Sequence, residues 1–256
     1  MNLNGKIAIV TGAANEQGIG YAIAKKFLEY GAIVTITDVN PHIQEAADRL
    51  QAITGRPITG IQLDVTHFNA MSEAISSIRD QYGRIDIVVN NAAVNIPGDS
   101  IEASLDEWDL HYNVNVKSQF IMSKLVTPIM RQQRYGKIVN IASVNSYIAE
   151  KQLYAYIGTK GAVRQQTMAD ALDNAPYGIN INCIGPGLVN TGFNDPHHDK
   201  VDGGRDEVMK HITEINPSGR AVEAEEIANM ALFLASDLAS GCVGGYYPVD
   251  GGYSIK

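Results

Sequence analysis

Short runs of β-branched and apolar residues alternate along this chain with longer stretches whose apolar positions recur every three or four residues. The runs at residues 7–11, 33–37, 58–63, 85–89, 137–141, 179–184 and 246–249 predict seven strands. The intervening stretches predict amphipathic helices, several with readable starts and stops. Asn40-Pro41 offers an N-cap followed by proline at the first helical position. Ser104-Leu105-Asp106-Glu107 has the spacing of a capping box. Ile19, Ile23 and Phe27 lie on one face of the first helix, which stops at Gly31. Residues 228–235, Met168 and Trp108 read as packing positions on later helices.

Strands that are apolar throughout and separated by helices imply a parallel sheet covered on both faces. Right-handed crossovers then make a doubly wound α/β sheet, the Rossmann architecture, as a single domain over residues 1–256. Such folds take ligands beyond the carboxyl ends of their strands. Residues 188–216 have no evident place in the sheet; their length and polar, glycine-rich composition predict a lid over that edge.

Composition narrows the chemistry. The 256 residues are 45% hydrophobic, enough for a sizeable core, and carry a net charge of −8, which argues against a nucleic-acid partner. No run approaches the roughly 20 apolar residues of a membrane span, and the first residues lead into a strand rather than a signal-peptide core. Cys183 and Cys242 sit in apolar surroundings without ligand spacing, so they read as buried thiols of a cytoplasmic protein. His197-His198, between Asp195 and Asp199, could suggest a metal, but neighbouring histidines in an extended loop point apart; a polar patch is expected, and no metal.

Tyr156 and Lys160 stand one helical turn apart, with Ser143 thirteen positions before the tyrosine at the end of the fifth strand. A free phenol ionises near pH ~10, and an adjacent ammonium favours its ionised form. Ser143 could donate a hydrogen bond to an oxygen undergoing oxidation or reduction. Tyr21/Lys25 and Tyr147/Lys151 repeat the four-residue spacing, but Ala8 and Arg134 occupy the position of the serine there. Context therefore selects Tyr156.

The first strand runs into Thr11-Gly12-Ala13-Ala14-Asn15-Glu16-Gln17-Gly18-Ile19-Gly20, where a helix opens. Gly12, Gly18 and Gly20 let backbone approach a pyrophosphate, with Asn15, Gln17 and Ile19 around it at the helix N-terminus. Asp38, ending the second strand, can accept hydrogen bonds from both adenosine ribose hydroxyls. A 2′-phosphate would meet that carboxylate, and neither residues 13–17 nor Val39-Asn40 supply a cation, while Glu16 adds negative charge. NAD is the expected cofactor, rather than NADP.

Together these residues resemble the short-chain dehydrogenase/reductase family over nearly the whole chain. Asn90-Asn91-Ala92-Ala93 stands where the family has Asn-Asn-Ala-Gly, and Asp250-Gly251-Gly252 is similar to its C-terminal signature. The resemblance implies cofactor contacts from Asn91, Ala92 and Ala93, adenine contacts from Asp64 and Val65, and nicotinamide-side contacts from Pro186, Gly187, Val189 and Thr191. It implies that Asn115 is the fourth catalytic residue beside Ser143, Tyr156 and Lys160, holding a water in a proton relay. It also implies that Lys160 bonds the nicotinamide ribose. Two departures stand out: five residues rather than three separate Gly12 from Gly18, and Ala93 replaces a glycine. Gly158, inside the Tyr-x-x-x-Lys turn, weakens its helix by about 1 kcal/mol against alanine.

The implied reaction is NAD-dependent interconversion of a secondary alcohol and a ketone, with Tyr156 moving the hydroxyl proton. Asn95, Asn145, Tyr147, Glu150 and the lid are candidate substrate contacts with Ser143 and Tyr156; their hydrogen-bonding character suits a sugar or polyol. A 3-oxoacyl thioester on an acyl carrier protein is the alternative substrate, and a non-catalytic dinucleotide sensor or scaffold the alternative class. The resemblance implies a homotetramer, for which Ala162, Val163 and Gly245-Tyr246-Tyr247-Pro248 offer apolar contacts.

Overall fold

A computed structural model describes residues 1–194 and 204–255. Seven parallel strands form one sheet in the order β3-β2-β1-β4-β5-β6-β7. They are β1 (Ile7–Thr11), β2 (Ile33–Asp38), β3 (Ile58–Gln62), β4 (Ile87–Asn90), β5 (Gly136–Ile141), β6 (Ile179–Pro186) and β7 (Tyr246–Val249). All seven lie where the apolar runs place them, to within about two residues at each end. The helices are α1 (Ile19–Glu29), α2 (Ile43–Thr54), α3 (Phe68–Tyr82), α4 (Leu105–Tyr112), α5 (Ser118–Gln133), α6 (Tyr154–Asn174), α7 (Gly204–Ile215) and α8 (Ala224–Ala235).

Central strands are buried on both faces because their side chains alternate between two cores. Ala8, Val10, Ile87, Val89, Val139 and Ile141 face α1, α2 and α8. Ile7, Ile9, Val88, Ile138, Ile179 and Ile181 face α3 and α5 instead. Each strand thus needs apolar residues at every position, which is why the runs are continuous. Lys26 on α1 and Glu225 on α8 form an ion pair, joining the two helices at the surface.

Local signals held unevenly. Ser104 caps α4 as a full capping box: its Oγ accepts from the Glu107 N–H at 3.2 Å, and Glu107 Oε2 accepts from the Ser104 N–H at 2.8 Å. Asn40 does not cap α2. Its Oδ1 accepts from the His42 N–H at 2.9 Å, closing an Asx-turn that postpones the helix to Ile43. Met168 is 44% exposed rather than core, because α6 turns that side outward. Residues 228–235 are largely buried, as their pattern implies. Trp108 packs as expected, stacking on Tyr112 with ring centroids 4.7 Å apart. Cys183 is buried but Cys242 only half so, and neither is bonded.

The described parts of the segment 188–216 hold regular structure. Val189 bridges to Val222, Gly192–Asn194 form a short 3-10 turn, and α7 fills Gly204–Ile215. Its amphipathic pattern is hidden by charged residues at the start of α7. His197-His198 lies outside the described residues. No helix among the described residues is long and apolar enough to cross a membrane.

The sheet order reverses between β1 and β4, each of which leads its neighbours in opposite directions, and a crevice opens at their carboxyl ends. Gly20 sets how closely α1 packs there: a methyl group on it would stand 2.5 Å from the Gly12 carbonyl oxygen and 2.6 Å from Asn91 Nδ2. Gly20→Ala should therefore lower stability by about 1–3 kcal/mol in urea unfolding, because backbone cannot yield there as a side-chain tip can. An unchanged midpoint would contradict this packing.

Candidate active site

A cavity of about 820 Å³ runs along the carboxyl edge of the sheet, from Asp38 and Asp64 past Gly12 and Gly18 to Tyr156 and Lys160. Its first wall comes from β1 and α1. The backbone turns at Gly12 with φ 67°, and Gly18, the residue before α1, gives the helix no side-chain cap, so its first N–H groups lack one where Gly18 and Ile19 line the cavity. Asn15 and Ile19 line the same wall. Gln17 and Gly20 do not. Gln17 faces outward where the longer turn bulges, and Gly20 is buried against the sheet.

Asn91 spans the crevice. Its Nδ2 donates to the carbonyl oxygens of Thr11 at 3.0 Å and Gly12 at 2.8 Å, while Thr11 Oγ1 accepts from the N–H groups of Asn91 and Ala92, both at 3.0 Å. Ala92 and Ala93 line the cavity, so the extra methyl of Ala93 is accommodated at its wall.

The carboxylate of Asp38 is held by backbone, with Oδ2 accepting from the Ala14 N–H and Oδ1 from the Asn40 N–H, both at 3.0 Å. Each oxygen keeps a second acceptor direction. A cation from outside residues 13–17 and 39–40 stands near the turn. Arg49 on α2 reaches Glu16, with Nε 2.7 Å from Oε1, and lies 3.8 Å from Glu45. Sequence separation hid this pair, which neutralises the negative charge assigned to Glu16. Asp64 and Val65 line the same end, where Asp64 Oδ1 accepts from the backbone and hydroxyl of Thr66.

At the other end, α6 presents Tyr156 and Lys160 toward the tip of β5. Lys160 is 2% exposed and its Nζ donates to the Ile141 carbonyl at 2.8 Å, lying 5.5 Å from the centre of the Tyr156 ring. Burial pushes the Lys160 ammonium down to about 7. Burial also pushes the Tyr156 phenol well above its ordinary range; a hydrogen bond with Ser143 opposes this and the Glu150 charge adds to it. For both groups burial is the largest influence. Ser143 Oγ meets Asn145 Oδ1 at 3.2 Å, and the Ser143 carbonyl accepts from Tyr246 Oη at 3.0 Å. Gly185 leaves the space through which the Tyr246 ring passes.

Asn115 lies between the two helices that precede α6. A π-turn at Asn113–Lys117, between α4 and α5, buries it completely. Its Oδ1 accepts from the Val94 N–H at 2.8 Å, and its Nδ2 donates to the Val94 carbonyl at 2.9 Å and Thr159 Oγ1 at 3.1 Å. The amide ties the β4 loop to α6, and Asn115 is not among the residues that line the cavity. Gly158 likewise serves packing: a methyl there would stand 2.9 Å from Tyr112 Oη.

Pro186, Gly187, Val189 and Thr191 line the wall beyond β6. Asn95, Asn145 and Glu150 line the end nearest Tyr156, as expected. Tyr147 does not: it is 57% exposed, edge-on to Tyr246 and beneath the Arg164 guanidinium. Sequence reading missed an apolar wall of Val94, Leu110, Val144 and Leu153, and the basic Lys151, whereas Phe193 and His211 come from the segment expected to form the lid. Phe193 approaches Tyr156 with ring centroids 6.3 Å apart. Only the repeated Tyr147/Lys151 spacing singled out Lys151 in the sequence; the apolar wall lacked any local signal. Among the described residues, no group of three or more acidic, histidine or cysteine side chains is arranged to hold a metal.

Burial of Lys160 gives a testable pH dependence. Its folded-state value lies below the unfolded value near 10.4, so the unfolded chain binds the extra proton between about pH 7 and 10 and stability rises over that window. Lys160→Met should be more stable than the parent at pH 7, by roughly 1–3 kcal/mol after loss of the bond to Ile141, with the gap narrowing toward pH 10. Urea unfolding at both pH values checks this; a gap that widens with pH would refute it.

The sequence matches a family model described as enoyl-(acyl carrier protein) reductase across residues 12–254. It is 35% identical over 254 residues to a meso-2,3-butanediol dehydrogenase of Serratia marcescens, covering 98% of this chain and 96% of the relative. It is 34% identical over 255 residues to an NAD-dependent glycerol dehydrogenase of Listeria innocua, covering 100% and 96%. Among solved structures, a gluconate 5-dehydrogenase of Burkholderia cenocepacia in complex with NADP and tartrate superposes with a TM-score of 0.91 at 30% identity, covering 100% of this chain and 97% of that one.

Proposed function

The chain belongs to the short-chain dehydrogenase/reductase family, and from that premise we propose that it is an NAD(H)-dependent enzyme interconverting a secondary alcohol and a ketone on a polyol, sugar or related polar diol. One observation supports this most directly: Tyr156, Ser143 and Lys160 converge at the end of a cavity whose other end is a backbone-held carboxylate. The cavity fits a dinucleotide. The uncapped start of α1 suits the pyrophosphate, Asp38 the adenosine ribose, Asp64 and Val65 the adenine, and residues 186–191 the nicotinamide side. When bound, the nicotinamide supplies the group that takes or gives hydride.

The residues of the chain then have separable duties. Ser143 donates a hydrogen bond to the substrate oxygen. Tyr156 accepts the hydroxyl proton during oxidation and returns it during reduction. Lys160, held on the Ile141 carbonyl, stands where its charge stabilises a phenolate as that proton leaves. Asn115 fixes α6 against the β4 loop and so fixes the tyrosine.

Asp38 supports NAD over NADP, since its carboxylate would face a 2′-phosphate and the nearby Arg49 is paired with Glu16. The glycerol and butanediol relatives have vicinal hydroxyls on their named substrates, and Asn95, Asn145 and Glu150 supply matching polar groups. The apolar wall of Val94, Leu153 and Phe193 is the observation that favours a second reading, reduction of a 3-oxoacyl thioester. Free thiols at Cys183 and Cys242 fit a reducing cytoplasm.

A panel of polyols, sugars and a 3-oxoacyl thioester, assayed by nicotinamide absorbance with both coenzymes, tests these readings. NAD should exceed NADP in kcat/KM by more than about tenfold, and Asp38→Ala should erase most of that preference. Tyr156→Phe should lose roughly 10²–10⁴-fold in kcat while NADH still binds, as followed by fluorescence. Substantial turnover by Tyr156→Phe, or indifference to Asp38, would overturn the respective assignment.

We propose a homotetramer as well. Exposed Phe120 on α5 and Tyr154 and Leu172 on α6 are apolar groups suited to contacts between copies. Val163 is not, since it is fully buried within its own chain. Light scattering should give the mass of four chains; a monomer would exclude the assembly.

A further inference from the structure

Glu150 lies in the bend between the 3-10 turn Val144–Ser146 and α6, and it lines the cavity beside Ser143, Asn145 and Tyr156. The bend is braced from outside. Gly98 pairs with Leu153, its N–H donating to the Gln152 carbonyl at 2.9 Å while its carbonyl accepts from the Tyr154 N–H at 3.2 Å. Gln152 adopts the left-handed conformation, φ 62°, to make this turn. The carboxylate itself is gripped by the far end of the chain: Tyr253 Oη donates to Glu150 Oε1 at 2.7 Å, across 103 residues of sequence.

Tyr253 is in turn well anchored. It opens the 3-10 turn Tyr253–Ile255, and its N–H donates to the Asp250 carbonyl at 3.1 Å. Asp250 accepts at Oδ1 from the Gly252 N–H at 3.0 Å, and at Oδ2 from the N–H and hydroxyl of Ser254 at 2.9 and 2.5 Å. The residue before it, Val249, accepts at its carbonyl from the N–H of Gly187, which itself lines the cavity. The C-terminal turn therefore has a rigid path from β7 to one oxygen of one carboxylate. Among the described residues, Oε2 of that carboxylate accepts no hydrogen bond.

We propose that the C-terminal turn is a substrate-positioning device, in which Tyr253 holds Glu150 by Oε1 so that Oε2 accepts a hydrogen bond from a second hydroxyl, on the carbon next to the one being oxidised. This rests on the alcohol-oxidising reading above and narrows its substrate to vicinal diols. An ionised carboxylate can only accept, so it rewards a hydroxyl and cannot bond a methyl or a second carbonyl. A substrate without that hydroxyl leaves the acceptor desolvated and unpaired, and discrimination follows from this penalty. Glu150 is thus a specificity-determining residue and Tyr253 a positioning residue that acts through it.

The test uses the full chain with NAD and two probes, meso-2,3-butanediol and 2-butanol, which differ by one hydroxyl. The selectivity ratio of their kcat/KM values should fall about 10-fold or more in Glu150→Ala and about fivefold in Tyr253→Phe, mainly through the KM of the diol. In the Glu150→Ala background, Tyr253→Phe should change the ratio no further, because its partner is gone. Glu150→Gln, which keeps the shape and one acceptor oxygen, should fall between parent and alanine variant and serves if the alanine variant does not fold. An equal loss for both probes, or a fivefold effect of Tyr253→Phe that persists without Glu150, overturns the device. Turnover of neither probe by the unmodified protein overturns the alcohol-oxidising reading itself, and the device with it.

Discussion

The hydrogen bonds between Asn91 and the end of β1 set the frame on which the site depends. At the point where sheet order reverses, β1 and β4 would otherwise leave unpaired backbone groups facing a crevice. One amide satisfies two of those carbonyls, and Thr11 Oγ1 returns the favour to two N–H groups. The crevice thereby keeps a fixed width, with the glycine turn on one side and the β4 loop on the other. Gly12, Gly20 and Asn91 lie too close together for any additional side-chain atom.

From that frame, burial dictates the electrostatics. A strand covered on both faces leaves polar chemistry only its carboxyl tip, and the reactive groups gather at the tips of β2, β4, β5 and β6. Lys160 and Tyr156 are carried there by α6 and almost fully enclosed, so each is driven toward its neutral form. Asp38 illustrates the opposite arrangement, a carboxylate at the solvent edge steadied by two backbone donors.

The cavity has two characters at its reactive end. Val94, Leu153 and Phe193 form an apolar wall, while Asn95, Asn145 and Glu150 supply polar groups, one of them held by the C-terminal turn. Elements far apart in sequence therefore meet on one small volume: the bend before α6, the end of β7 and the helix after β6. The π-turn at Asn113–Lys117 belongs to the same economy, since it turns Asn115 inward to lock α6 in place.

Sequence alone was sufficient for the strands and their parallel order in kind, and it picked out the glycine turn, Asp38, Ser143, Tyr156 and Lys160, which the fold brings to one cavity, because each is written in local spacing or in continuous apolar runs. It could not tell that the Asn115 amide bonds the β4 loop, that Gln17 and Gly20 lie off the cavity wall, that Tyr147 turns away or that Val163 faces inward. Those outcomes turn on which side of a helix or bulge meets another element, and no local pattern records that. Charge balance was beyond it too, since the Glu16–Arg49 pair joins residues 33 apart and the Tyr253–Glu150 bond joins residues 103 apart. Four-residue spacing puts an ammonium near a phenol, but only the packed structure determines how far burial pushes each toward its neutral form.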